Sequence, residues 1–171
     1  SMLEQLTSGI RGPTIITLLS ILILGTALGF QYIGGLNPCE LCIYQRIPYR
    51  IIIIAGPISL ILVLLGWRNL AALMVLGCAI TFLVGACIAL YHAGIEQHWW
   101  IGKLACTGGS PKTAINAEEM RKILESSALI RCDEVVWSFF GISMAGYNFI
   151  CSLLLSIFSF LTARELRKMH I

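Results

Sequence analysis

Residues 37–46 have the amino-acid types and the spacing of a reactive thiol site. Cys39 and Cys42 form a Cys-x-x-Cys pair, and Arg46 follows one helical turn later. If Asn37 capped a helix and Pro38 took its first position, both thiols would lie in the first turns, where the helix dipole favours a thiolate. Positions i, i+3 and i+7 share one helix face, so the guanidinium would also lie near the sulfurs and lower a thiol pKa. The pattern predicts a redox-active dithiol.

The same pair could instead form half of a metal site, which would need two more thiolate or imidazole ligands. Cys106 and Cys132 are the other cysteines in polar surroundings, but they do not form a second Cys-x-x-Cys. His98 is the one histidine that lies clearly in a loop. We therefore predict no metal. A disulfide between Cys106 and Cys132 would be either a structural staple or, because flexible residues flank it, a bond that exchanges with a partner's thiols.

His92 lies at the end of the third apolar run, with Glu96 one turn later. A lone histidine in such a position is usually a satisfied residue at the membrane interface. A histidine and an arginine at the membrane boundary could also hydrogen-bond the carbonyl oxygens of a lipid-soluble quinone. Both interpretations stay open on the residues alone.

The composition places the chain in a membrane. Of its 171 residues, 57% are apolar and 12% are charged, with a mean hydropathy of +0.84, whereas average proteins have about 25% charged residues. The net charge of +3 is scattered, which gives no basic stripe for nucleic acid. The cysteines at 78, 87 and 151 lie inside apolar runs and are predicted to be small apolar packing residues.

Four apolar runs predict the fold class, an all-α membrane protein with a four-transmembrane-helix bundle. The spans are predicted at about 13–33, 43–65, 70–91 and 142–162, within one integral-membrane domain over 1–171. The first run lacks a strong basic flank and a small-x-small cleavage site, so we expect it to be retained. The loops at about 34–42 and 94–140 lie on one side. Residues 116–127 of the long loop are predicted to form a short amphipathic helix.

An even number of spans puts both termini on the same side of the membrane. Lysine and arginine are divided evenly between the two sides, so they do not decide the orientation. Cysteines in polar loops belong on the oxidising face. We therefore predict extracytoplasmic cysteine loops and cytoplasmic termini.

Three segments together resemble the DsbB family of bacterial inner-membrane proteins that generate disulfides. They are Cys-x-x-Cys-Ile-Tyr-Gln-Arg at 39–46, Tyr-His-x-Gly-x-Glu at 91–96, and Cys-Asp-Glu-Val-Val-Trp at 132–137 with Phe-Gly-Ile-Ser-Met-Ala-Gly-Tyr-Asn at 140–148. The resemblance covers nearly the whole chain. It implies that a periplasmic DsbA-like thiol oxidase is reoxidised by the chain, and that the electrons pass through two cysteine pairs to ubiquinone or menaquinone.

The resemblance also implies roles for particular residues. The partner would attack a disulfide between Cys106 and Cys132, first at Cys106, and the electrons would then reach Cys39 and Cys42. Cys42 matches the family cysteine nearest the quinone. The matches to the quinone site are Arg46, His92, Trp137 and Met144.

Two other functions remain as alternatives. Vitamin K epoxide reductase-like enzymes are also four-helix quinone enzymes with two cysteine pairs, but their Cys-x-x-Cys precedes a late helix, and here the order is reversed. A non-enzymatic tetraspan scaffold stabilised by disulfides would leave Arg46 beside Cys42 unexplained.

Overall fold

The computed structural model describes residues 1–101, 117–118 and 132–168. Within these ranges a short helix, α1 (Met2–Thr7), precedes four long helices and one β-hairpin. The long helices are α2 (Arg11–Tyr32), α3 (Glu40–Leu64), α4 (Arg68–Glu96) and α5 (Met144–Lys168), and the hairpin strands are β1 (Ser138–Phe139) and β2 (Ile142–Ser143). The amphipathic helix predicted at 116–127 lies outside the described residues, except for 117 and 118, which are helical.

Each of the four long helices in the described part of the chain is long and apolar enough to cross a bilayer. The predicted all-α, four-span fold class is confirmed. Only 17% of the most apolar stretch of α2 is buried, against 39% in α4, so α4 is central in the bundle and α2 is peripheral. Helix α4 packs along α5 and α3, and α2 packs mainly on α3.

Two helices extend beyond the apolar runs that predicted them. Helix α4 continues past Tyr91 to Glu96, and α5 continues past Thr162 to Lys168. Hydropathy marks the part of a helix that suits lipid, whereas the backbone hydrogen bonds continue through the polar residues beyond it. His92 and Glu96 therefore lie on the last turns of a rigid helix.

The fourth long helix begins at Met144 rather than near Ile142, because a hairpin precedes it. Strands β1 and β2 pair antiparallel through a two-residue turn, Phe140 and Gly141. Both turn residues have positive φ, 51° and 74°, as a tight turn matched to the strand twist requires. The hairpin brings Trp137 back over the start of α5, where the Met144 N–H bonds to the Trp137 carbonyl at 3.3 Å.

Small residues let the helices approach closely where polar hydroxyl groups line the interior. A Cβ at Gly56 of α3 would collide with the Thr17 side chain of α2, and one at Gly12 would collide with Thr162 of α5. Such contacts supply packing and short-range attraction in a bundle that gains little from the hydrophobic effect within lipid. Larger apolar side chains fill the centre, namely Ile16, Tyr49, Ile52, Val75, Phe82, Leu155 and Leu166.

Candidate active site

Cys39 and Cys42 form the start of α3. Cys39 is the N-cap residue, and its Sγ accepts a hydrogen bond from the Cys42 backbone N–H at 3.4 Å. The predicted helix start, with Asn37 as the cap and Pro38 inside the helix, is therefore wrong. The Cys39 sulfur does what an asparagine side chain was expected to do, since it accepts from an N–H group of the first turn. Both cysteines are free thiols whose sulfur atoms lie 3.1 Å apart.

The surroundings of Cys39 favour its thiolate. The hydrogen bond from the Cys42 thiol lowers the pKa of Cys39 from an ordinary 9.0 to about 4, burial acts in the opposite direction, and His92 adds a further hydrogen bond and charge that lower it. The His92 Nε2 atom lies 3.6 Å from the Cys39 sulfur. Arg46, which was expected to act on the thiols, instead donates from Nη1 to Gln31 Oε1 on α2 at 2.5 Å.

A polar chain across the bundle holds His92 in place. Gln45 Nε2 lies 2.7 Å from His92 Nδ1 and also donates to the Leu41 carbonyl at 3.1 Å. Asn148 Nδ2 donates to Gln45 Oε1 at 2.7 Å, which links α3 to α5. The Tyr49 hydroxyl donates in turn to Asn148 Oδ1 at 2.5 Å. The histidine is thus fixed by side chains from two other helices.

Glu96 is a buried carboxyl group on the same face of α4 as His92. Its Oε1 lies 3.1 Å from His92 Nε2, and only 8% of the residue is exposed. Oε2 has no hydrogen-bond partner among the described residues, although the Ser143 hydroxyl lies near the carboxyl group. An uncompensated polar atom in an apolar interior is costly and marks a place where function competes with stability.

Gly94, between His92 and Glu96, lets the chain fold back at the end of α4. A Cβ at Gly94 would collide with the Trp100 ring. The Trp100 indole N–H donates to the Tyr91 carbonyl at 2.9 Å, and the two rings stack with centroids 6.3 Å apart. The glycine of the Tyr-His-x-Gly-x-Glu segment is therefore explained by packing.

Both thiols open onto an apolar cavity of about 450 Å³ that lies between α2, α3, α5, the end of α4 and the segment before the hairpin. Its wall includes the predicted site residues Cys39, Cys42, Arg46, His92, Trp137 and Met144, together with Gln45, Glu96 and Asn148. Trp137 is held there by Phe30, at a ring-centroid distance of 5.2 Å, and by Tyr147, at 6.0 Å. Apart from Cys106 and Cys132, every residue predicted for the site lines this one cavity.

Cys132 is in contact with Cys39. It is fully buried, disulfide-bonded, and packed against Cys39 in a small cluster that also includes Leu41 and Cys42. Cys106 lies outside the described residues, so its predicted disulfide with Cys132 stays a prediction. Cys39 is thus in contact with both the cavity and the buried cysteine of the second pair.

Three side chains of the site have the spacing of metal ligands. The Cys39 and Cys42 sulfurs and a His92 ring nitrogen lie within 4.8 Å of one another. The Gln45 N–H that points at Nδ1 places the imidazole hydrogen on Nε2, the nitrogen nearest the sulfurs. A metal ligand needs a lone pair at that atom. The geometry therefore disfavours a metal, and the expectation of none stays a prediction.

Comparison with known proteins identifies the family. The family model described as "Disulfide bond formation protein DsbB" matches residues 12–162. The chain belongs to the DsbB family. The Histophilus somni protein named "Disulfide bond formation protein B" is 33% identical over 93% of this chain and 93% of its own length. Proteins of the same name from Methylococcus capsulatus and Saccharophagus degradans are 32% and 35% identical, over 81% and 72% of this chain and 84% and 74% of their own lengths. No solved structure matches the chain significantly.

Family membership and the four long helices establish the general activity. The chain is a multi-pass membrane protein and an oxidoreductase of disulfide bond formation. Its membership in the DsbB family, which the sequence motifs suggested, is confirmed.

Three polar residues of the site had no role predicted from the sequence, namely Gln45, Asn148 and Tyr49. A signal for them was present in the spacing. Gln45 and Tyr49 lie one turn apart in an apolar span, as do Asn148 and Ser152. The two amides meet across the bundle, and so do the two hydroxyl groups. Polar side chains repeated at i and i+4 in a membrane helix indicate a face that bonds to another helix.

Proposed function

We propose that this chain oxidises a periplasmic DsbA-like thiol oxidase and passes the electrons through two cysteine pairs to ubiquinone or menaquinone. One observation supports this most: the Cys39–Cys42 dithiol opens directly onto an apolar cavity within the membrane-spanning bundle. An apolar cavity beside the dithiol suits a lipid-soluble electron acceptor and not a water-soluble one. The DsbB relatives are consistent with the proposal, since their names refer to disulfide bond formation.

The residues around the cavity fit a quinone. Its volume of about 450 Å³ lies within the range of ~300–1,000 Å³ that is common for small-molecule sites. Arg46 and His92 would hold the carbonyl oxygens, and Trp137 and Met144 would contact the ring. When bound, the quinone would take up the two electrons and two protons that leave the dithiol. The side chains around the cavity stabilise the thiolate, exclude water and hold the polar groups in position.

The contact between Cys39 and Cys132 supports a relay by thiol–disulfide exchange. The partner's first thiolate attacks Cys106 in the outer disulfide, forms a mixed disulfide and releases Cys132 as a thiolate. Cys132 then attacks Cys39 of the oxidised inner pair, and Cys42 leaves as a thiolate.

Two further exchanges complete the relay. The partner's second thiolate attacks the mixed disulfide, so the partner leaves oxidised and Cys106 is freed. Cys106 then attacks Cys132 and restores the outer disulfide, which leaves Cys39 and Cys42 reduced. The structure has the same pattern, with Cys132 disulfide-bonded and the inner pair as free thiols.

The topology follows from the same proposal. Cys39, Glu96 and Cys132 lie at one end of the bundle, and α2 begins and α5 ends at the other. Because the thiols exchange with an oxidising compartment, we place the cysteine end in the periplasm and both termini in the cytoplasm of a bacterial inner membrane.

The decisive assay mixes the purified protein with a reduced DsbA-like protein and a short-chain quinone, and follows quinone absorbance. We expect turnover that Cys42→Ser abolishes and that Cys87→Ser leaves unchanged, because Cys87 faces outward from α4 away from the cavity. Turnover unaffected by Cys42→Ser would refute the electron path. No turnover with any DsbA-like protein would instead favour the scaffold, and turnover with small thiols alone would favour the vitamin K epoxide reductase-like alternative.

Arg46→Ala tests the quinone site. We expect a higher KM for quinone with an unchanged rate of thiol exchange with the partner, since Arg46 lines the cavity and contacts Gln31 rather than the sulfurs. An unaltered KM would remove Arg46 from the site.

A further inference from the structure

We propose that Gln45 is a positioning residue that fixes the tautomer of His92, so that the ring offers its Nε2–H, and not a lone pair, to the Cys39 sulfur. The use of this N–H in electron transfer rests on the proposed function, but the tautomer itself does not. The motif at 39–46 contains Gln45 but implies no role for it, and its role is visible only in the contacts that it makes.

The orientation of the Gln45 amide is decided by its neighbours. The atom that lies 3.1 Å from the Leu41 carbonyl oxygen must be a donor, because a carbonyl only accepts, so that atom is Nε2. The other amide atom accepts from Asn148 Nδ2 at 2.7 Å, as Oε1 does. Rotating the amide by half a turn would oppose oxygen to oxygen at Leu41. The Leu41 carbonyl therefore decides the orientation of the amide, and the contact with Asn148 agrees with it.

That orientation determines where the imidazole hydrogen lies. The second N–H of Gln45 Nε2 points at His92 Nδ1, 2.7 Å away, so Nδ1 must be the acceptor. In a neutral imidazole the hydrogen is then on Nε2. Nε2 lies 3.6 Å from the Cys39 sulfur and 3.1 Å from Glu96 Oε1, and both atoms can accept. The Gln45 contact at Nδ1 and the two acceptors at Nε2 agree on one tautomer.

The tautomer decides what the cluster can do. With hydrogen on Nε2, His92 stabilises a Cys39 thiolate by donating to it. With hydrogen on Nδ1, the same ring would present a lone pair beside two sulfurs, all within 4.8 Å, and form a site for a thiophilic divalent metal. A bound metal would block disulfide formation. Gln45 thus favours redox chemistry over metal capture at residues that could support either.

The direct test is 15N NMR of His92 in reduced, quinone-free protein. Wild type is expected to show a lone pair on Nδ1 and hydrogen on Nε2. Gln45→Glu places a carboxylate where the N–H was, so it should put hydrogen on Nδ1. Gln97→Glu is the control, because it introduces the same change at the exposed C-cap of α4. Its His92 spectrum should match wild type.

A second measurement titrates the same reduced proteins with Co²⁺ and follows thiolate–cobalt absorbance. Gln45→Glu should bind about 10- to 100-fold more tightly than wild type, since a carboxylate behind a histidine supports metal binding by roughly that factor. Gln97→Glu should not.

These results separate the tautomer from the proposed function. Wild-type protein with hydrogen on Nδ1 would overturn the inference without any variant, even if Gln45→Glu failed to fold. Equal cobalt affinity in wild type and Gln45→Glu would also overturn it. Loss of quinone reduction in every preparation, with the expected wild-type spectrum, would refute the quinone proposal and leave the tautomer standing.

Discussion

Replacing Asn148 by leucine removes two of the hydrogen bonds that join α3 to α5 at the site. Asn148 makes three hydrogen bonds, to Gln45, Tyr49 and Ser152. Measured hydrogen bonds between membrane helices average about 0.6 kcal/mol and reach about 1.7 kcal/mol. The two bonds to α3 amount to about 1 kcal/mol, and the Gln45 oxygen left without a donor adds about 1–2 kcal/mol. We expect Asn148→Leu to lower the free energy of unfolding by about 2–3 kcal/mol.

Reversible unfolding in mixed detergent micelles measures this difference. Thr81→Val is the matched control, because its hydroxyl donates only to the Gly77 carbonyl of its own helix and should matter little. A double-mutant cycle with Tyr49→Phe then isolates the direct bond. Tyr49 and Asn148 should be coupled by more than about 0.5 kcal/mol, the usual limit of additivity for independent sites. Full additivity, or an Asn148→Leu protein as stable as Thr81→Val, would show that the network does not stabilise the bundle.

Three further results are expected. Glu96→Gln should slow quinone reduction about 100-fold, the usual range of acid–base catalysis, because the carboxyl group is buried beside the dithiol; stopped-flow rates equal to wild type would contradict this. Gly94→Ala should lower the free energy of unfolding by about 1–3 kcal/mol, since overpacking against Trp100 costs that much, and the same unfolding assay measures it. With the pKa of Cys39 lowered from 9.0 to about 4, thiolate absorbance at 240 nm should persist below neutral pH. The stability that this thiolate contributes is complete above the ordinary thiol pKa and is lost as pH falls toward 4; absorbance lost near pH 9 would refute it.

The membrane fold was predictable because hydropathy acts over whole helices. Apolar runs of spanning length leave few alternatives to a helix in lipid, and α2 to α5 follow from them. The end of α4 was less predictable, because its last turns are polar and contain His92 and Glu96. The start of α3 was predicted wrongly, because Asn37 and Pro38 have stronger capping preferences than cysteine, and the Cys39 sulfur took the cap.

The chemistry-bearing residues were predictable and their partners were not. Cysteine and histidine are rare enough that their spacing indicates chemistry. The target of the Arg46 guanidinium depends instead on which helix lies beside it, and Gln31 on α2 is separated from it by a turn that the sequence does not orient. Gln45 and Asn148 lie far apart in the sequence and meet only when α3 and α5 pack.

The contact between Arg46 and Gln31 changes how the charge of the site is understood. A thiolate near lipid needs stabilisation, and a guanidinium beside it would be the simplest source. The structure uses hydrogen bonds from Cys42 and His92 instead, while Arg46, one turn after Cys42 on α3, donates to Gln31 of α2, the least buried of the four long helices. Arg46 also lines the cavity onto which the thiols open. Its charge can therefore attract negative charge that develops on a ligand in the cavity, whereas a guanidinium paired with the thiolate would hold the electrons on sulfur.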